Sequence, residues 1–137
     1  SLGEGQRFLS EQLTQRSMMV QPYVAAVSTA GELSLLYFNG RFSHAVRKIP
    51  AAGDFRVQTE HGGRVLSVKP TTGELAAGQR VLDAMAGETL YARVDLLPTD
   101  DGEQRLLELE VTEPSMFLTW DAGAPARFAA AIGERLG

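Results

Sequence analysis

The sequence contains no cysteine. Disulfides, cysteine-based zinc sites and thiol nucleophiles are therefore excluded, and a reducing, cytoplasmic location is the expectation. No apolar run approaches the roughly 20 residues that a membrane helix needs, and no signal-type segment opens the chain. Positive charge is not in excess either. The 13 Lys and Arg face 17 Asp and Glu, which gives a net charge of −4. That balance offers no general attraction to nucleic-acid backbone or anionic membrane, so neither is expected as a partner. Internal repeats, low-complexity tracts and a Ser-His-Asp pattern are also absent. What is present suits one soluble globular domain: 137 residues, 44% of them apolar, are enough to bury a core.

Periodicity divides the chain as follows. Gly5 to Arg16 reads as a short helix, with Leu9 and Leu13 four apart. Met18 to Val27 is an apolar run that Pro22 interrupts, which predicts a strand that bends or ends there. Leu33–Asn39 and Arg41–Ile49 read as two strands of a hairpin joined at Asn39-Gly40. Pro50 to Gly63 is loop-like, with Gly53-Asp54 and Gly62-Gly63 as turn signals. Thr72 to Ala86 reads as a helix that buries Leu75, Leu82 and Met85 and stops at Gly87. Leu90–Leu97 and Gln104–Val111 are strands. A last helix starts near Pro125, with Phe128, Ile132 and Leu136 along one side. Hairpins and helices alternate without a regular βαβ rhythm, so the expected class is α+β with a mostly antiparallel sheet.

The last two strands carry an unusual charge pattern. With Asp101-Gly102 as a two-residue turn, Asp100 faces Glu103 and paired positions sum to a constant. Asp95 then lies opposite Glu108, Arg93 opposite Glu110, Val94 opposite Leu109 and Leu96 opposite Leu107. One face is apolar and the other holds Arg93, Asp95, Glu108 and Glu110. Opposite partners lie about 5 Å apart and next-but-one neighbours roughly 7 Å apart. Like charges at these distances repel, so three carboxylates need a counterion. Arg93 offers one positive charge. A divalent cation offers two, and hard oxygen ligands suit Mg²⁺ or Mn²⁺ better than zinc. A solvated charged face with Arg93 in an ordinary salt bridge is the other reading of the hairpin alone.

Upstream, "HAVRKIPAAGDFRVQTEHGG" (His44 to Gly63) gathers Arg47, Lys48 and Arg56 around a loop that ends in two glycines. Cations beside glycines that let backbone N–H groups approach suit phosphate, although a charged surface loop has the same composition.

The two segments in order resemble the C-terminal part of an ATP-grasp ligase, of the glutathione-synthetase-like and cycloserine-synthetase-like branch. The resemblance spans Met18 to Leu136 and rests on "KIPAAGDFRVQTEHGG", "ARVDLL" and "ELEVTEP". It implies that Asp95, Glu108 and Glu110 hold the Mg²⁺ (or Mn²⁺) ions that bridge ATP phosphates. Glu110 stands where the family has Asn, which keeps an oxygen ligand and adds a charge. It implies catalytic roles at the phosphoryl or acyl group for Arg56 and Lys48, nucleotide contacts for Arg47 and Arg93, and an adenine-binding hinge at Gln21, Pro22 and Tyr23. The acid that often binds ribose is missing from the "AAV" that follows. The implied reaction joins a carboxylate to an amine through an acyl phosphate.

Other residues are given structural expectations. His44 and His61 lack metal-ligand spacing and read as a strand residue and a loop contact. Met116, Phe117 and Trp120 read as core, and Glu113 as a group behind the metal ligands, a substrate contact or a solvated strand end. The resemblance further implies a single domain over residues 1–137, an N-terminal helix in 1–17 followed by an ATP-grasp C-terminal lobe. The first lobe and the substrate domain are expected to belong to the rest of a parent enzyme. Self-association is left open. The alternatives are a non-catalytic ATP-grasp-like binding module and an unrelated metal- or phosphate-binding domain.

Overall fold

The computed structural model describes residues 1–51, 63–99 and 101–137. Its elements are α1 (Leu2–Leu13), α2 (Val27–Ala30), β1 (Glu32–Phe38), β2 (Arg41–Ile49), β3 (Arg64–Val68), α3 (Thr72–Asp83), β4 (Tyr91–Pro98), β5 (Gln104–Glu110) and α4 (Ala124–Leu136). The five strands form one sheet in the order β3-β2-β1-β4-β5, with every neighbouring pair antiparallel. The α+β expectation therefore holds. No described helix is long and apolar enough to cross a membrane.

Two hairpins supply most of the sheet. Asn39 (φ 46) and Gly40 (φ 71) take positive φ, as a type I′ turn requires, and close β1 onto β2. At the other hairpin Thr99 N–H donates to the Glu103 carbonyl (2.8 Å), so three residues, 100–102, make the connection instead of two. The third, Gly102, is left-handed (φ 81), the position that such three-residue connections give to glycine. The register shifts again between Asp95 and Leu96, so Leu96 faces Leu106 and not Leu107. The two irregularities cancel. Arg93–Glu110, Val94–Leu109 and Asp95–Glu108 are paired as the sequence predicts. The expected pairing of Asp100 falls outside the described residues.

The core lies between the sheet and α3. Leu33, Leu35, Tyr37, Ala45, Ala92, Val94 and Leu96 come from alternate strand positions, and Ala77 from the helix. Full burial of Leu33 or Leu35 contributes about 1.5–3 kcal/mol relative to exposure. A capping box starts α3: the Thr71 hydroxyl accepts from Glu74 N–H, and the Glu74 carboxylate accepts from Thr71 N–H (2.7 Å). Gly78 is where helix and sheet approach most closely. A methyl there would fall on the Tyr37 hydroxyl and 2.6 Å from Leu35 Cδ1. Gly78→Ala is expected to lose about 1–3 kcal/mol by overpacking, measured as a lower urea midpoint at unchanged slope. Burial also pushes the Tyr37 hydroxyl up to about 12.

Four expectations need correction. The run Met18 to Val27 forms no strand. Met19 and Val20 are exposed, and the chain turns directly into α2 at Val27. Among the described residues the apolar run has no neighbouring strand to pair with, and Pro22 withholds a donor. β3 was not foreseen: "RVLSV" is only five residues long, and pairing with β2 makes it a strand. Trp120 is exposed, while Met116 and Phe117 are half-buried, because they lie on the connection around the 3₁₀ turn Leu118–Trp120 outside the core. In α4, Phe128 packs on Phe38 (ring centroids 5.0 Å apart), but Leu136 at the helix end is exposed.

Candidate metal and nucleotide site

Strand alternation puts a second set of residues on the face opposite α3. Lys48 pairs with Glu32 across β2 and β1. Ser34 pairs with Asp95, which pairs with Glu108. Leu36 pairs with Arg93, which pairs with Glu110. This face is polar yet enclosed: Glu32, Ser34, Arg93 and Asp95 are all buried, Asp95 completely.

A chain of ion pairs runs across it. Lys48 bridges Glu32 and Asp95, at 3.4 Å from Asp95 Oδ2. Arg93 donates from Nε (3.0 and 3.1 Å) and Nη2 (2.8 Å) to the Asp95 carboxylate. The same Nη2 pairs with Glu110 and lies 3.6 Å from Glu108 Oε2. Burial opposes the charge of Arg93, but Asp95, Glu110 and Glu108 prevail and hold the guanidinium above its usual value. Burial raises the Glu32 carboxyl, with Lys48 opposing. Burial, Glu110 and Asp95 together raise Glu108, with Arg93 opposing.

Asp95, Glu108 and Glu110 can each present one oxygen so that all three atoms lie within 4.8 Å of one another. Three carboxylate oxygens with no thiolate or imidazole among them fit a hard divalent cation such as Mg²⁺ or Mn²⁺. The Ser34 hydroxyl, opposite Asp95, is fully buried and has no hydrogen-bond partner among the described residues.

The other predicted positions are distributed differently. Lys48 joins the cluster. Arg47, its neighbour on β2, points to the opposite face and is committed there. It pairs with Glu74 (2.8 Å) and donates to the Ala30 carbonyl (3.1 Å). Burial opposes ionisation of Glu74, but hydrogen bonds from Thr71 and Arg47 hold its carboxyl below the usual value. Gln21, Pro22 and Tyr23 are exposed in the irregular stretch between α1 and α2, and the Tyr23 hydroxyl shares a hydrogen bond with Ser28 (2.8 Å). Arg56 and His61 lie outside the described residues. Glu113 is exposed and takes a left-handed backbone (φ 54) just beyond β5.

His44 is buried on the polar face, as a strand residue, and its ring is fully engaged. Nε2–H donates to the Met116 carbonyl (3.1 Å), which leaves Nδ1 to accept from the Ser43 hydroxyl (3.0 Å). Arg127 in turn donates to Ser43 Oγ (2.9 Å), and burial keeps the imidazole below its usual pKa. A hollow of about 700 Å³ near the β1–β2 turn is lined by Arg41, Glu88, Glu134 and Arg135. These charges are of both signs and pair with one another, so the hollow does not compete with the carboxylate cluster.

Sequence reasoning missed Glu32 and Ser34. The signal was in "ELSLLYF", where polar residues at alternate positions of an otherwise apolar strand mark a polar face.

The prokaryotic glutathione synthetase ATP-grasp domain family matches residues 7–121, most of the chain. The chain belongs to this ATP-grasp family. Among relatives, the cycloserine biosynthesis protein DcsG of Streptomyces lavendulae is 33% identical over 132 residues, covering 87% of this chain and 42% of the relative. The crystal structure of D-cycloserine synthetase DcsG superposes with a TM-score of 0.67 at 29% identity, covering 85% of this chain and 42% of that one. D-alanine–D-alanine ligase from Bacillus anthracis, solved with ATP, gives 0.63 at 15% identity and covers 97% and 45%, a likeness of fold. The ATP-grasp chain described here thus spans less than half the length of the relatives it matches. Membership of the ATP-grasp family sets aside an unrelated metal-binding fold.

Proposed function

We propose that the polar face binds Mg²⁺ (or Mn²⁺) and the triphosphate of ATP in a ligase that joins a carboxylate to an amine through an acyl phosphate. The observation that supports this best is the convergence of Asp95, Glu108 and Glu110 on one point, bordered by Arg93 and Lys48. A divalent cation at those carboxylates would supply the positive charge that neutralises phosphate oxygens during transfer.

The side chains of the chain divide the remaining work. Asp95 is locked by Lys48 on one side and Arg93 on the other, so its carboxylate is oriented in advance. Glu108 and Glu110 sit at the rim, where a ligand from solvent can reach them. Arg93 has the fork geometry to grip a phosphate oxygen pair. Arg56 is assigned to the transferring phosphoryl or acyl group, and Lys48 to charge stabilisation there. Gln21 to Tyr23 are assigned to the adenine by way of backbone groups. Arg47 has no part in this reading, because Glu74 holds it on the other face. The first lobe, the carboxylate and the amine are assigned to further domains of a parent enzyme and its small-molecule substrates.

The test uses the full-length protein and a non-hydrolysable ATP analogue. Mg²⁺ or Mn²⁺ with the analogue is expected to stabilise the fold by mass action, by about 2.7 kcal/mol at a hundred times Kd. A melting temperature that follows only ionic strength would overturn the reading.

A further inference from the structure

We propose that Arg93 makes the carboxylate site selective for a metal ion together with a phosphate chain, over a free divalent cation. This rests on the metal-binding reading above. Arg93 is the one described cation within ion-pair distance of Asp95, Glu108 and Glu110 alike. Its guanidinium therefore occupies the space on which the three carboxylates converge, as their shared counterion. Its side chain is only 8% exposed, so the charge is poorly screened by solvent. It cannot be shed by deprotonation. A divalent cation that arrives alone meets this charge at close range, and room is made only if the guanidinium turns away.

Turning away without a partner would leave a buried cation unpaired. A phosphate chain removes that cost, because a guanidinium grips phosphate in the same forked manner as carboxylate. Phosphate and metal thus favour one another: the first draws Arg93 off the carboxylates, and the second takes the carboxylates over.

Two neighbours make the exchange feasible for Asp95. Lys48 stays beside it at 3.4 Å from the other side. The Ser34 hydroxyl lies in register opposite Asp95 and is buried with no partner among the described residues, so it can donate to the oxygen that Arg93 gives up. By linkage, whatever factor phosphate adds to metal affinity, metal adds to phosphate affinity.

The experiment measures Mn²⁺ binding to the full-length protein by calorimetry and by the spin-resonance signal of free Mn²⁺. It is done with Mn²⁺ alone and with a non-hydrolysable ATP analogue, for the wild type, Arg93→Gln and Arg93→Lys. The wild type is expected to bind Mn²⁺ alone at least about tenfold more weakly than in the presence of the analogue. Arg93→Gln is expected to bind Mn²⁺ alone about tenfold more tightly than the wild type, and to lose the preference for the pair. Arg93→Lys keeps the charge, so its affinity for Mn²⁺ alone should stay near the wild-type value. It provides the comparison should the Gln variant fail to fold, and a gain in free-metal affinity in Arg93→Lys would then overturn the proposal. Unchanged or weaker binding of Mn²⁺ alone by folded Arg93→Gln, with the wild type still binding the pair, overturns it as well. Failure of the wild type to bind Mn²⁺ with the analogue overturns the metal reading itself.

Discussion

Asp95→Asn is expected to lose about 3–5 kcal/mol of stability with no metal present. The carboxylate is completely buried and accepts from both Nε and Nη2 of Arg93 while facing Lys48. An amide of the same shape removes the negative charge and turns an N–H₂ donor toward two cations. Lys48 and Arg93 keep Glu32 and Glu110, but the centre of the chain of charges is gone. Urea unfolding in the presence of a chelator measures the loss. A neutral or stabilising result would mean that the carboxylate is repelled by its neighbours more than it is held by its cations.

Glu108→Gln should behave in the opposite sense on the same face. Metal–nucleotide affinity is expected to fall by more than about 10–100-fold, the loss typical of a partner one step removed from a metal. Calorimetry with Mn²⁺ and an ATP analogue reads it. Without metal, the same variant should be slightly more stable, by less than about 1 kcal/mol, because the side chain is 55% exposed and screened. The pH dependence follows from the direction of the shift. The Glu108 carboxyl is raised in the fold by burial, Glu110 and Asp95, so the folded state holds its proton to higher pH than the unfolded chain. Stability from this group is therefore lost as pH rises from the ordinary glutamate range through the folded pKa. Melting curves of Glu108→Gln should lack that part of the slope. An unchanged slope together with unchanged metal affinity would remove Glu108 from the site.

Local signals carried much of this architecture. Asn39-Gly40 and Asp101-Gly102 marked both hairpins, and alternation after the second placed Arg93, Asp95, Glu108 and Glu110 on one face. A longer connection and a bulge compensate each other there, so the acidic register came out correctly while Leu96 was misaligned by one. What sequence could not supply was the far side of each pairing. Asp95 looked like one of three rim carboxylates, and only β1 and β2, some fifty residues away, reveal it as a buried partner of Lys48. Arg47 and Lys48 looked equivalent as neighbours in a basic segment. Strand geometry sends them to opposite faces, and the Thr71–Glu74 capping box that claims Arg47 is a local motif with a non-local consequence. The apolar run Met18 to Val27 misled because periodicity reports burial only where something is available to pack against.

The seam between the two hairpins has a kinetic meaning. β1–β2 and β4–β5 are each closed by a turn and can form from contacts near in sequence, whereas β1 and β4 meet only when the hairpins dock. The bond from Lys48 to Asp95 spans that junction. Because long-range pairing carries the main loop-closure cost, the docking of the hairpins is expected to fall at the folding barrier. Weakening Asp95 should then slow folding as well as quicken unfolding. The rate at which the native state is reached is thereby tied to the carboxylate that we assign to the metal.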